Sequence, residues 1–314
     1  MNDKQPTSGF VSDIGDESDF NSTRHNGGFT NISEAYVSKS GFTRMFSAVR
    51  YGKRYMLKCL KPDFAYTPIY RQALMKEFEI GLQLDHPNIC RTISMEPVGE
   101  LGDCIVMEYV DGETLEAAVK GGNMTEDKVR KIASQLLDAM EYMHAKQTVH
   151  RDIKPSNIML THRGGDVKLI DFGLSDSETF CVLKIPAGTI GYMAPEQLQP
   201  GAKSDPCADI YSFGKVLEYM AEAVRSKSLA RVGQKCAADE CDRRPADIAQ
   251  VRRLMTGKGR SLAVVNAVLV ALALVLLVVI GVMMSSRQTA PTSTPPTDSA
   301  SVGAANKVVD SSLW

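Results

Sequence analysis

From Phe46 to Leu60 (FSAVRYGKRYMLKCL), and again from Cys104 to Val110 (CIVMEYV), apolar and polar positions alternate in short steps. A period of two is that of half-buried strands, and Tyr51-Gly52-Lys53 is the turn that folds the first run into a hairpin. Between the runs, TPIYRQALMKEFEIGLQL changes to a helical period, with Leu74, Phe78 and Leu82 four apart on the face expected to be buried. After Gly112 the pattern stays helical: TLEAAVK, then Thr125-Glu126-Asp127 as a capping signal opening DKVRKIASQLLDAMEYMHA. A small strand-rich half followed by a larger helical half predicts an α+β fold with a cleft between the two.

The pattern changes again near the end of the chain. Leu262–Met284 is a run of 23 residues without a charge, with Asn266 its one clearly polar side chain. As a helix it would extend roughly 34 Å, enough for a hydrocarbon core of about 30 Å, and it reads as a transmembrane helix. Arg252, Arg253, Lys258 and Arg260 precede it and only Arg287 follows closely, which places the N-terminal portion in the cytoplasm. Residues 285–314, rich in Ser, Thr and Pro, read as a disordered extracytoplasmic tail, and residues 1–32 as a flexible arm without a signal peptide. The domain expected to carry the chemistry is therefore 33–257.

Composition narrows the classes further. The chain has 314 residues, 44% hydrophobic and 23% charged, which is globular usage. A formal net charge of −1 gives no support to a nucleic-acid partner. The seven cysteines are odd in number, irregularly spaced and without a CxxC, so reduced thiols are expected rather than a disulfide framework or a zinc module.

The most informative strings are HRDIKPSN (His150 to Asn157), DFG (Asp171 to Gly173) and APE (Ala194 to Glu196), in that order. With them the chain resembles the eukaryotic-type (Hanks-type) serine/threonine protein kinases over about residues 33–257. The resemblance implies a two-lobed fold, a small β-rich N-lobe and a helical C-lobe, shortened here; it leaves the transmembrane helix read from hydropathy and both tails unexplained. It also implies ATP and Mg2+ as cofactors and proteins bearing Ser or Thr as substrates.

Residue by residue, it implies that Asp152 orients the attacking hydroxyl, that Lys154 sits against the γ-phosphate, and that Asn157 and Asp171 hold magnesium. Tyr55-Met56-Leu57-Lys58 corresponds to the strand whose lysine contacts the α- and β-phosphates, so Lys58 takes that role. Its partner is a glutamate on the following helix. Glu77 and Glu79 cannot both face the cleft, and spacing to DHPNI (Asp85 to Ile89) favours Glu77. Met107 stands at the gatekeeper position, with backbone groups of Glu108 and Val110 facing adenine. Glu196 and Arg244 are expected as a buried ion pair, and Asp209 on the helix anchoring the large lobe. In the segment 171–196, Ser175, Ser177, Thr179 and Thr189 are phosphosite candidates, and Arg151 is placed to clamp a phosphate there.

Two departures from the family pattern stand out. Ser38, Ser40 and Thr43 occupy the glycine positions of the phosphate loop, which keeps only Gly41. Only about thirty residues separate Gly214 from Arg243-Arg244-Pro245, where the family usually has another helix and long loops. The expectation is a single-pass membrane kinase of a bacterial inner membrane, with a eukaryotic endomembrane as the alternative, that receives its signal by dimerisation of the span, from a partner, or from the cytoplasmic face. Two rivals stand beside it. A pseudokinase or scaffold is supported by the departures and opposed by intact Lys58, Glu77, Asp152, Asn157 and Asp171. A small-molecule or lipid kinase is opposed by the APE string.

Overall fold

Period-two alternation along the second and third strands decides which side chains face the cleft. The computed structural model describes residues 27–37, 41–172, 191–198, 205–257, 268–280 and 283. Five antiparallel strands form the first sheet, in the order β1-β2-β3-β5-β4: β1 (Thr30–Val37), β2 (Thr43–Arg50), β3 (Lys53–Leu60), β4 (Thr92–Pro97) and β5 (Asp103–Glu108). The turn between β2 and β3 is the expected one, with Tyr51 and Gly52 both at positive φ, as a tight hairpin requires.

Leu57 and Cys59 of β3, with Cys104 and Val106 of β5, enter one apolar cluster together with Phe29 and Phe46. Leu60 and Ile105 face the opposite side, against Leu74 of helix α1 (Pro68–Leu82). Lys58 is paired with Ile105 and Met56 with Met107, so Lys58 and Met107 lie on the helix-facing side. The sheet thus presents the Lys58 ammonium toward α1, beside Leu60, Ile105 and Met107.

α1 buries Ala73, Leu74, Glu77 and Gly81, while Leu82 is exposed. This corrects the face expected from Leu74, Phe78 and Leu82. Eight residues at about 100° each leave Leu82 about 80° away from Leu74, enough to turn it into solvent. Gly81 fits because a Cβ there would stand 2.3 Å from Thr92 Oγ1 of β4, so the missing side chain sets how closely the helix approaches the sheet.

The second half begins with a short strand, β6 (Gly112–Thr114), that hydropathy alone does not announce. It pairs with β7 (Ile158–Thr161), and β7 with β8 (Val167–Leu169), in a three-stranded sheet. The helices are α2 (Leu115–Lys120), α3 (Glu126–Ala145), α4 (Pro206–Ala223), α5 (Lys227–Cys236) and α6 (Ile248–Thr256). Thr114, Thr125, Asp205, Ser226 and Asp247 each cap one of them by accepting a backbone N–H. The large core unites Leu136, Met140 and Met143 of α3 with Phe213 and Leu217 of α4, Ile153 of the intervening loop and Phe172 after β8.

Strand β1 starts at Thr30 and Phe29 is 1% exposed, so residues 29–32 are ordered, ahead of the boundary expected at Ser33; the rest of the expected arm, residues 1–26, lies outside the described residues. Cys207 and Cys241 form a disulfide, which corrects the expectation of seven reduced thiols; Cys59, Cys90, Cys104 and Cys236 are free and buried. The sequence separation of 34 gave no signal, because the chain's return past the start of α4, not a spacing motif, brings the two together.

Residues 258–314 form a second unit. Within it, 268–280 is helical with every side chain exposed. Among the described residues no helix is long and apolar enough to cross a membrane.

The Gly81–Thr92 approach makes a prediction. Gly81→Ala should lower stability by about 1–3 kcal/mol, as overpacking does, and Thr92→Ala in the same chain should restore part of it. Thermal unfolding of the three variants measures this.

Candidate active site

Three elements meet at the Lys58 ammonium. Its Nζ donates to Glu77 Oε1 at 2.5 Å and to Asp171 Oδ1 at 2.7 Å. Glu79, two residues on, is exposed and pairs with Lys76 instead. Burial opposes the ammonium, but Asp171 and then Glu77 outweigh it and hold Lys58 above its ordinary range. Glu77 bears the cost: burial lifts its carboxyl to about 7 despite Lys58. Asp171 has φ 70°, a left-handed backbone that costs a non-glycine residue energy. Its neighbour Phe172 is buried, with its ring 5.3 Å from that of His150.

A few residues away, Asp152, Lys154 and Asn157 form a second constellation. Asp152 Oδ2 accepts from Lys154 Nζ at 2.7 Å and from Asn157 Nδ2 at 2.9 Å, and the same Nδ2 donates to the Asp152 carbonyl at 2.9 Å. Both bonds use the amide nitrogen, so the Asn157 side-chain oxygen remains as a ligand atom. Asp152 Oδ1 is buried and has no hydrogen-bond partner among the described residues. A buried carboxylate oxygen left in this way is costly unless something else is meant to reach it. Burial raises the Asp152 carboxyl to about 6, with Lys154 opposing.

The loop bearing Asp152 hangs from Asp209. Oδ2 of that carboxylate accepts from His150 N–H at 2.8 Å and lies 2.9 Å from His144 Nε2, while Oδ1 accepts from Arg151 N–H at 2.8 Å. Burial alone would raise Asp209, yet His144 and these N–H groups hold it below the usual aspartate range. Arg151 sits at φ 67°, so the loop is fixed where its backbone is least willing to be. Hydropathy did not mark His144: a histidine near the end of a helix carries no signal until its partner is known.

Arg244 grips Glu196 with two nitrogens, at 2.6 and 2.8 Å. Its other donors reach the carbonyls of Ala238, Asp239 and Cys207, and Tyr211 lies under its plane at 4.9 Å. Closing a loop of the length between Cys207 and Cys241 stabilises by about 4 kcal/mol in the chain-entropy account.

At the strand end, Met107 lies on the Lys58 face. Glu108 donates its N–H to the Arg91 carbonyl at 3.0 Å, so its carbonyl is the group it can offer a ligand. The Glu108 side chain turns to Lys168 at 2.5 Å. Val110 is buried just beyond. Ser38, Ser40, Ser175, Ser177, Thr179 and Thr189 lie outside the described residues; Gly41 is described, at the start of β2.

A protein-family model described as "Protein kinase domain" matches residues 39–249. The chain belongs to the protein kinase domain family. This kinase domain is 41% identical over 174 residues to mitogen-activated protein kinase kinase 9 of Arabidopsis thaliana, covering 52% of this chain and 53% of that one. It is 36% identical over 167 residues to serine/threonine-protein kinase PrkC of Bacillus subtilis, covering 51% and 25%. The chain thus spans between about a quarter and about half of these relatives' lengths. The kinase domain of Mycobacterium tuberculosis PknI shares the fold, with a TM-score of 0.57 at 21% identity, covering 73% of this chain and 96% of that one.

Asp209 offers a direct test of how the kinase domain holds its loop. Asp209→Asn should cost about 2–4 kcal/mol, because charge-assisted acceptors for three donors are weakened in a dry site. The sign with pH follows from the depressed carboxyl: its contribution is present above the ordinary aspartate range and lost as pH falls through the folded value. Thermal melts from neutral to acid pH should therefore show the gap between wild type and variant closing toward low pH.

Proposed function

We propose that the chain is a serine/threonine protein kinase that transfers the γ-phosphate of Mg-ATP to protein hydroxyls, held at a membrane by residues 262–284 with the catalytic domain on the cytoplasmic side. The observation that carries the chemistry is the buried Asp152 Oδ1, without a partner among the described residues, beside a lysine and an asparagine that hold the other oxygen in place. An incoming serine or threonine hydroxyl is the donor that completes it, and the carboxylate orients that oxygen and takes its proton.

The residues fit a magnesium nucleotide by the chemistry of their donors. Asn157 offers an amide oxygen and Asp171 a half-exposed carboxylate, both hard oxygen ligands suited to magnesium. Lys58 presents a fixed ammonium to phosphate oxygens, and Lys154 supplies positive charge beside the acceptor site. Bound as its magnesium complex, ATP supplies the transferable phosphoryl group. Met107, the Glu108 carbonyl and Val110 line the place for the adenine. Phosphorylation of Ser175, Ser177 or Thr179 is the expected regulation, through Arg151.

The membrane reading is supported by the uncharged run of 23 residues and by the basic residues ahead of it. Similarity to Ser/Thr protein kinases supports serine and threonine hydroxyls as the acceptors.

The full chain in detergent should transfer labelled γ-phosphate to serine or threonine only with magnesium, and Asp152→Asn should lose about 100-fold or more of that rate. Because the Asp152 carboxylate is the working form and its carboxyl titrates at about 6, transfer should rise with pH through that value and level off above it. Equal absence of labelling in both folded proteins would favour the scaffold; a wild-type rate in the variant would remove Asp152 from the chemistry.

A further inference from the structure

The Cys207–Cys241 disulfide touches the guanidinium that holds Glu196. Cys207 lies in the first turn of α4, where its N–H donates to Asp205 at 2.8 Å. Cys241 opens the short turn that leads into Arg244. Arg244 Nη1 stands 3.3 Å from Cys207 Sγ, 3.1 Å from the Cys207 carbonyl and 2.6 Å from Glu196 Oε1. The two residues differ in exposure, since Cys207 is buried, at 8% exposed, and Cys241 is exposed.

We propose that Cys207 and Cys241 are a reversible thiol–disulfide site, closed by peroxide-class oxidants and opened by dithiol reductants, whose state sets how firmly Arg244 holds Glu196. The effect on phosphoryl transfer rests on the kinase reading above; the bond and its hold on Glu196 do not. A cytoplasmic disulfide is expected to be transient and redox-sensing rather than a permanent staple.

Opening starts at the more exposed cysteine. A reductant thiolate attacks Cys241 Sγ, the S–S bond breaks, and Cys207 leaves as a thiolate. That charge forms beside the Arg244 guanidinium and at the N-terminus of α4, both of which stabilise it. The second reductant thiolate then attacks its own sulfur in the mixed disulfide and releases Cys241, leaving the reductant oxidised by two electrons. Closing runs through sulfenic acid. One thiolate attacks peroxide and the O–O bond breaks; the other thiolate attacks the resulting sulfur and expels hydroxide. Two electrons pass from the sulfurs to peroxide, which leaves as two waters after taking up two protons.

In the opened form Arg244 faces a second anion beside Glu196, and the covalent tie across the short part of the lobe is gone. The grip on Glu196 loosens. Asp205 and the two cysteines bring three possible metal ligands within 4.8 Å of one another, but the guanidinium 3.3 Å from Cys207 Sγ places fixed positive charge where a cation would sit.

The test uses the full chain in detergent, equilibrated with dithiothreitol or with hydrogen peroxide, beside Cys241→Ser. Thiol alkylation read by mass spectrometry reports the bond, amide hydrogen exchange over 191–198 reports the hold on Glu196, and labelled phosphate transfer reports rate. The expected result is joint protection of Cys207 and Cys241 after peroxide, with melting raised by about 5 °C or more. Exchange over 191–198 should slow about tenfold and transfer rise about threefold, all reversed by dithiothreitol. Cys241→Ser should match the reduced wild type under both conditions. Two freely alkylated cysteines after peroxide would overturn the proposal, and so would a bond that forms without changing exchange. An exchange difference with no transfer in either state would support the site and count against the kinase reading.

Discussion

Everything in the cleft depends on keeping one ammonium charged where little water reaches it. Lys58 comes from the sheet, Glu77 from α1 and Asp171 from the loop after β8, and that charge ties all three parts of the chain together at one point. Removing either carboxylate leaves a buried cation underpaired, which is far more costly than never having placed it there. The ion pair therefore reports assembly: the lysine is correctly placed only when helix and loop are both in position. The left-handed backbone at Asp171 fits this account, because strain persists where surrounding contacts determine the conformation. Gly81 serves the same end from a distance, since the close approach of α1 to β4 sets where Glu77, one turn earlier, can reach.

The large lobe repeats the scheme with both signs. There the buried groups are Asp209, which collects donors from His144 and the backbone of His150 and Arg151, and Arg244, which collects acceptors from Glu196 and three carbonyls. Each has a full set of partners, and each fixes a segment that carries no regular structure of its own. Polar anchors, and one disulfide, thereby hold the segment that carries Asp152 and the segment that leads into Arg244. Asp152 is the exception that points to chemistry. Its loop is held on every side, yet Oδ1 is left without a partner among the described residues.

Much of this was legible in the chain. The motif strings pointed to Asp152, Asn157, Asp171 and Lys58; helical geometry said that Glu77 and Glu79 cannot share a side, and spacing to DHPNI chose Glu77. The β2–β3 hairpin was readable from Tyr51-Gly52, whose backbone demands are local. What was not legible depends on partners distant in sequence. Leu82 looked like core until the helix was seen to meet the sheet through Gly81. Phe29 sits in a polar stretch that gives no hint of its burial. Neither His144 nor the pairing of Cys207 with Cys241 can be read from spacing, since each is defined by where α4 begins.

The claim at the centre is that Glu77 places Lys58 for work on phosphate, and Glu77→Gln isolates it. The variant keeps the shape of the side chain and removes the charge that balances the ammonium. Steady-state phosphoryl transfer by the full chain, with melting temperature measured beside it, is the decisive comparison. The account predicts a folded protein whose transfer falls by about tenfold or more, the equivalent of about 1.4 kcal/mol of lost transition-state stabilisation. Undiminished transfer would contradict it, and would mean that Asp171 alone suffices to hold the lysine.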